Sequence, residues 1–104
     1  MAWYLIQLHP PRERFAETIT PDEQAVVGRH FQYLQHLQQQ GKLFLAGRCE
    51  DASLGIALVQ AEDDAEAETL LREDPAVSGG VFAATIRPWR LALYQSFPET
   101  YNAN

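Results

Sequence analysis

The apolar-rich run from Ala2 to Leu8 suits a strand, with Trp3, Leu5 and Gln7 on one face and Tyr4, Ile6 and Leu8 on the other. His9-Pro10-Pro11-Arg12 ends it, because proline has no N–H to give to a sheet ladder. A loop is expected from there, through Arg14 and Phe15, to Thr20. Thr20-Pro21-Asp22-Glu23 then opens a helix: Thr20 caps, Pro21 takes the first helical position, and Glu23 completes a capping box. The helix is predicted to reach about Gln40, where Gly41 supplies the left-handed residue that closes it. Its apolar stripe is Val27, Phe31, Leu34 and Leu37, flanked by Val26 and Tyr33.

Lys42–Cys49 and Leu54–Ala61 read as two further strands joined by a polar turn, Glu50-Asp51-Ala52-Ser53. Asp63-Asp64 starts a second helix with acids at its positive end, and Ala65, Ala67, Leu70 and Leu71 give it an apolar face. That helix should stop near Glu73, since a residue before proline (here Asp74, before Pro75) is pushed out of helical geometry. Ala76–Gly80 is expected as a loop, and Val81–Gln95 as a final strand in which Pro88 demands an edge, a bulge or a bend. The resulting order, β-α-β-β-α-β, predicts an α+β, ferredoxin-like domain: a four-stranded antiparallel sheet with two helices on one face. One domain over residues 1–96 and a polar tail over 97–104 are expected. The bare sheet face still needs cover, and a second copy packed sheet to sheet is the simplest source.

Charge narrows the partners. The chain carries 14 acidic and 8 basic side chains, a net charge of −6, and no basic stripe, which argues against nucleic acid. Cys49 is the only cysteine, so neither an intrachain disulfide nor a thiolate metal cluster can form. No apolar run approaches a membrane span, and the start Met-Ala-Trp-Tyr-Leu-Ile lacks the features of a signal peptide, so a cytoplasmic protein is expected.

The run Arg29-His30-Phe31-Gln32-Tyr33-Leu34 with Leu37, Gly41-Lys42-Leu43 and Ala46-Gly47 resembles the first-helix and second-strand signature of the YCII-related (YciI-like) family. Asp74-Pro75-Ala76-Val77, Gly80-Val81-Phe82 and Ile86-Arg87-Pro88-Trp89 continue the likeness, from about Trp3 to Leu93. The resemblance implies a homodimeric α+β barrel in which two sheets pack face to face, with an active-site pair of a helix histidine and an aspartate before proline. Those positions are His30 and Asp74. It implies chemistry in the range of a dehydrochlorinase acting on a chlorinated, hydroxylated aromatic, with isomerases and monooxygenases among distant relatives. Where the family has Gly-Pro after the second strand this chain has Gly47-Arg48, so the pocket is expected to differ there.

His30 stands between Val27 and Leu34 on the inward stripe, where a histidine is more often a satisfied core residue than a catalyst. The resemblance reverses that order and makes it a proton shuttle, since imidazole exchanges protons near neutrality. Asp74 has two readings: local turn contacts before Pro75, or a carboxylate that accepts from His30 and fixes its tautomer. Arg48 could bind a carboxylate or phenolate of a substrate, as could Arg87, although strand arginines more often make salt bridges. His9 either joins the pocket as a substrate-binding residue or ends its strand in solvent. Ser53, Ser78 and Ser96 lack a nucleophile-elbow context, and no metal-ligand spacing appears. Two functions follow. One is a cofactor-independent lyase or isomerase acting on a small aromatic or lactone-like molecule; the other is a non-catalytic small-molecule-binding or accessory module.

Overall fold

The computed structural model describes residues 1–96; the tail expected over 97–104 lies outside the described residues. In order run β1 (Ala2–His9), α1 (Phe15–Thr18), α2 (Pro21–Gln39), β2 (Leu43–Arg48), β3 (Gly55–Ala61), α3 (Asp64–Arg72), α4 (Pro75–Ser78) and β4 (Ala83–Trp89). The strands make one antiparallel sheet in the order β2-β3-β1-β4. This is the ferredoxin-like α+β arrangement.

Local chemistry accounts for the element ends. The Thr20 side chain accepts from the Glu23 N–H, and the Glu23 carboxylate accepts from the Thr20 N–H, so the capping box is closed in both directions. At the other end of α2, Gly41 has φ +75°, its N–H donates to the Gln38 carbonyl, and the Lys42 N–H donates to that of Leu37. That pair of bonds is a Schellman motif, and its left-handed residue favours glycine. Asp63 caps α3 by accepting from the Glu66 N–H.

One sheet face is buried. Tyr4, Ile6 and Leu8 of β1 and Ala57, Val59 and Ala61 of β3 pack against Leu37 of α2 and Ala67 and Leu70 of α3. Val59, in a strand with a neighbour on each side, is wholly shielded. Two tyrosines fasten the layers: Tyr4 donates to the Asp64 carboxylate at 2.6 Å and Tyr33 to the Leu70 carbonyl at 2.6 Å. Both hydroxyls are pushed up to about 12, Tyr4 chiefly by its bond to Asp64 and Tyr33 chiefly by burial.

Three expectations need correction. The connection expected as a loop before Thr20 contains α1, a single turn that buries Phe15 and is tied to α2 by Arg12. The segment expected as a loop after Asp74 contains α4, which starts on the Asp-Pro cap and ends at Gly79 and Gly80. The last strand is shorter than Val81–Gln95, because β1 runs out: Trp89 lies opposite Trp3, one residue from the start of β1. Beyond it the chain brings Tyr94 to within 6.5 Å, ring to ring, of Phe44 on the far edge strand. Pro88 sits on edge strand β4, where a missing N–H breaks no ladder.

The second sheet face is open. Trp3, Leu5 and Leu45 lie on it with Trp89, and Phe44 meets Trp3 edge-on at 5.4 Å. Phe44, Leu45, Trp89 and Tyr94 are all exposed.

Candidate active site

The site is built from two helix features 44 residues apart in the chain. Pro75 holds Asp74 in extended geometry (φ −67°, ψ 122°), which is what an N-cap residue needs. The Asp74 carboxylate accepts from the Ala76 N–H at 2.9 Å and so caps α4. The far end of α4 is equally constrained, since a Cβ at Gly79 would lie 2.6 Å from the Pro75 carbonyl oxygen. Asp74 is 4% exposed and therefore a buried carboxylate with a fixed direction.

That direction is toward α2. His30 Nδ1 lies 2.7 and 2.9 Å from the two Asp74 oxygens. A carboxylate only accepts, so Nδ1 carries the hydrogen, and in the neutral ring Nε2 keeps its lone pair. Both readings of Asp74 hold at once: it makes the local turn bond and binds His30. Phe82 stands edge-on to the imidazole at 5.5 Å and edge-on to Phe15 at 5.8 Å, which holds the ring from the side. Nε2 has no hydrogen-bond partner among the described residues, yet no buried side-chain polar atom among them is unpaired. Nε2 is therefore the atom that opens onto space.

The space is a cavity of about 480 Å³ whose walls are mostly apolar. Val27, Phe31 and Leu34 of α2 form one wall, the α1 region with Phe15 and Ile19 another, and Phe82 and Leu8 the floor near His30. Phe31, expected on the buried stripe, is 60% exposed, because beneath it lies cavity rather than sheet. Arg48 lines the same cavity. A β-bulge between Leu43 and Leu45 turns it there: Arg48 pairs with Gly55, which pairs with Leu8, and all three share the helix side of the sheet.

The other named residues lie elsewhere. His9 is exposed at the end of β1 and lines a neighbouring cleft with Arg12, Arg14 and Asp51, which shares Pro10, Phe15 and Ala52 with the cavity. Arg87 lies opposite Leu5 on the open sheet face. Of the residues singled out in the sequence, the fold thus gathers His30, Asp74 and Arg48 and leaves His9 and Arg87 out. Phe15 and Phe82, which support the imidazole, were not foreseen; they come from different elements, and no spacing rule links them. Among the described residues no group of three or more His, Cys, Asp or Glu side chains could hold a metal ion, and no helix is long and apolar enough to cross a membrane.

Comparison with known proteins agrees with this architecture. The fold is similar to that of 5-chloro-2-hydroxyhydroquinone dehydrochlorinase (TftG) from Burkholderia phenoliruptrix AC1100, solved in complex with 2,5-dihydroxybenzoquinone. The two share 21% identity and a TM-score of 0.64 over 86% of this chain and 95% of that one, a likeness of fold. The uncharacterized protein YjpA of Bacillus subtilis (strain 168) is 32% identical over 65 residues, which is 62% of this chain and 76% of YjpA. The model of the YCII-related domain matches residues 3–90, and the chain belongs to that family.

Proposed function

We propose that the chain is a cofactor-independent lyase or isomerase in which His30 and Asp74 act as an acid–base pair on a small aromatic or lactone-like molecule bound in the cavity. One observation carries this: a histidine held through Nδ1 by both oxygens of a buried aspartate, with Nε2 facing an apolar cavity large enough for a ring. An oriented imidazole of this kind takes a proton from a carbon or hydroxyl next to a carbonyl, and Asp74 stabilises the imidazolium that results. The electron pair left behind then expels a leaving group, which is elimination. Alternatively the imidazolium returns the proton to another carbon, which is isomerisation. The dehydrochlorinase on a similar fold supports the first outcome. The test is turnover of hydroxylated aromatic and lactone substrates by wild type and His30→Gln. Turnover lost in the variant upholds the proposal; no His30-dependent turnover sinks it, and a stabilising ligand recovered unchanged would then favour the binding-module reading.

We propose further that the open sheet face pairs with that of a second copy. Phe44, Leu45, Trp89 and Tyr94 expose large apolar side chains together, more than a solitary domain normally leaves in water.

A further inference from the structure

We infer that the molecule bound beside His30 carries a carboxylate, and that Arg48 holds that carboxylate at the cavity mouth. The inference deepens the proposed function and rests on the cavity being the substrate site.

Three observations support it. First, among the described residues the cavity is lined by no acidic side chain, although the chain as a whole carries 14 acids against 8 bases. Arg48 is the lining residue with a permanent charge, and that charge is positive. An apolar chamber with that polarity suits an apolar body bearing a negative group. Second, the guanidinium is anchored on one side. Its Nη1 donates to the Cys49 carbonyl at 3.1 Å and to the Glu50 carbonyl at 2.9 Å, which fixes it against the β2–β3 turn. What remains is the edge formed by Nε and Nη2, which makes no hydrogen bond among the described residues. That edge carries two parallel N–H groups and matches the two oxygens of a carboxylate. Third, no carboxylate closes on that edge among the described residues, although the Asp51 carboxyl, held below its ordinary range chiefly by its bonds to Ser53, is also lowered by the charge of Arg48. Asp51 accepts from the Ser53 N–H at 3.0 Å, forms no ion pair with Arg48 among the described residues, and lines the neighbouring cleft instead.

The geometry then divides the work. Arg48 takes the carboxylate, the aromatic and aliphatic walls take the body, and the reacting hydrogen falls to His30 Nε2. Small aromatic or unsaturated cyclic acids fit this division; neutral phenols and lactones leave the fork empty.

Benzoate and its neutral isostere benzamide test it by NMR titration of the ¹⁵N-labelled full chain, in wild type, Arg48→Met and Arg48→Lys. Expected are shifts at Phe31, Ala46 and Phe82 in wild type, with benzoate bound about tenfold more tightly than benzamide. An exposed guanidinium in water supports no larger factor. Arg48→Met should bind both probes equally, while Arg48→Lys, which keeps charge without the fork, should show a preference between the two. Equal binding of both probes at the cavity of wild type overturns the carboxylate inference and leaves the cavity as a ligand site. A benzoate preference that survives in Arg48→Met overturns the role of Arg48. No shift at the cavity with either probe removes both this inference and the reading of the cavity beneath it.

Discussion

Exchanging Asp74 for asparagine changes one oxygen for an NH2 and tests the site at its smallest step. In the native arrangement the carboxylate accepts from His30 Nδ1 at 2.7 and 2.9 Å and from the Ala76 N–H at 2.9 Å. Asparagine has one accepting oxygen and two N–H donors. Asparagine caps helices as well as aspartate does, so its oxygen stays on the Ala76 N–H, and its NH2 replaces the oxygen that lies nearer to His30 Nδ1, at 2.7 Å. Two donors cannot face each other. The imidazole resolves the conflict by moving its hydrogen to Nε2 and accepting at Nδ1.

The consequences separate. A charge-assisted bond is exchanged for a neutral one while the cap survives, which costs about 1 kcal/mol. For a domain of this size that lowers Tm by roughly 4–8 °C. The lone pair that serves as base disappears from the cavity, and the same exchange in a serine-protease triad lowers kcat by a factor on the order of 10⁴. Asp74→Ala is the contrasting variant: it also loses the cap and strands a buried N–H, a cost of roughly 2–4 kcal/mol. Long-range ¹H–¹⁵N correlation of the imidazole rings reads the tautomer directly, with His30→Gln assigning the resonance. Wild type should show hydrogen on Nδ1 and Asp74→Asn hydrogen on Nε2. A wild-type His30 protonated at Nε2, or an Asp74→Asn ring that keeps its hydrogen on Nδ1, would refute the reasoning.

Two further outcomes follow from the rest of the molecule. Glu23 is held down to about 2, from an ordinary 4.5, chiefly by its bond to Arg12; its pKa is depressed on folding, so its contribution is present above pH 4.5 and is lost as pH falls toward 2. Thermal melts of Glu23→Gln should therefore show a flatter decline than wild type across that window, and parallel curves would contradict the assignment. Leu45→Lys places a charge on the open sheet face, twice in a symmetric pair, so light scattering should find the pair at least about tenfold weaker while far-UV circular dichroism is unchanged. Wild type that scatters as a monomer at every concentration would dismiss the pairing.

The order of elements was legible because each boundary has its own chemistry. Thr20, Pro21 and Glu23 announce α2, Gly41 ends it, and Pro75 stops α3, all by contacts within a few residues. The two one-turn helices escaped for the complementary reason: α1 and α4 have four residues each, about one helical period, and no periodicity can show in that length. The end of β4 was illegible because it is not local. It is set by where β1 begins, at Ala2.

The same distinction between local and long-range causes decides the site. His9 falls outside the cavity for a reason present in the first eight residues. Tyr4, Ile6 and Leu8 face the helices, so the next residue must face the other way, and strand parity alone separates His9 from Leu8 on the cavity wall. Arg48 is the opposite case. Leu43 pairs with Val59 on the buried face, and an unbroken strand would turn a residue five positions later to the open face. The bulge between Leu43 and Leu45 adds one residue to the count and returns Ala46 and Arg48 to the helix side. No residue in Leu43-Phe44-Leu45 marks a bulge as glycine or proline would, so parity counting on the sequence places Arg48 on the wrong face. The bulge is thus what gives the cavity its cation. An alteration that straightens β2 should remove any anion preference even though Arg48 itself is untouched.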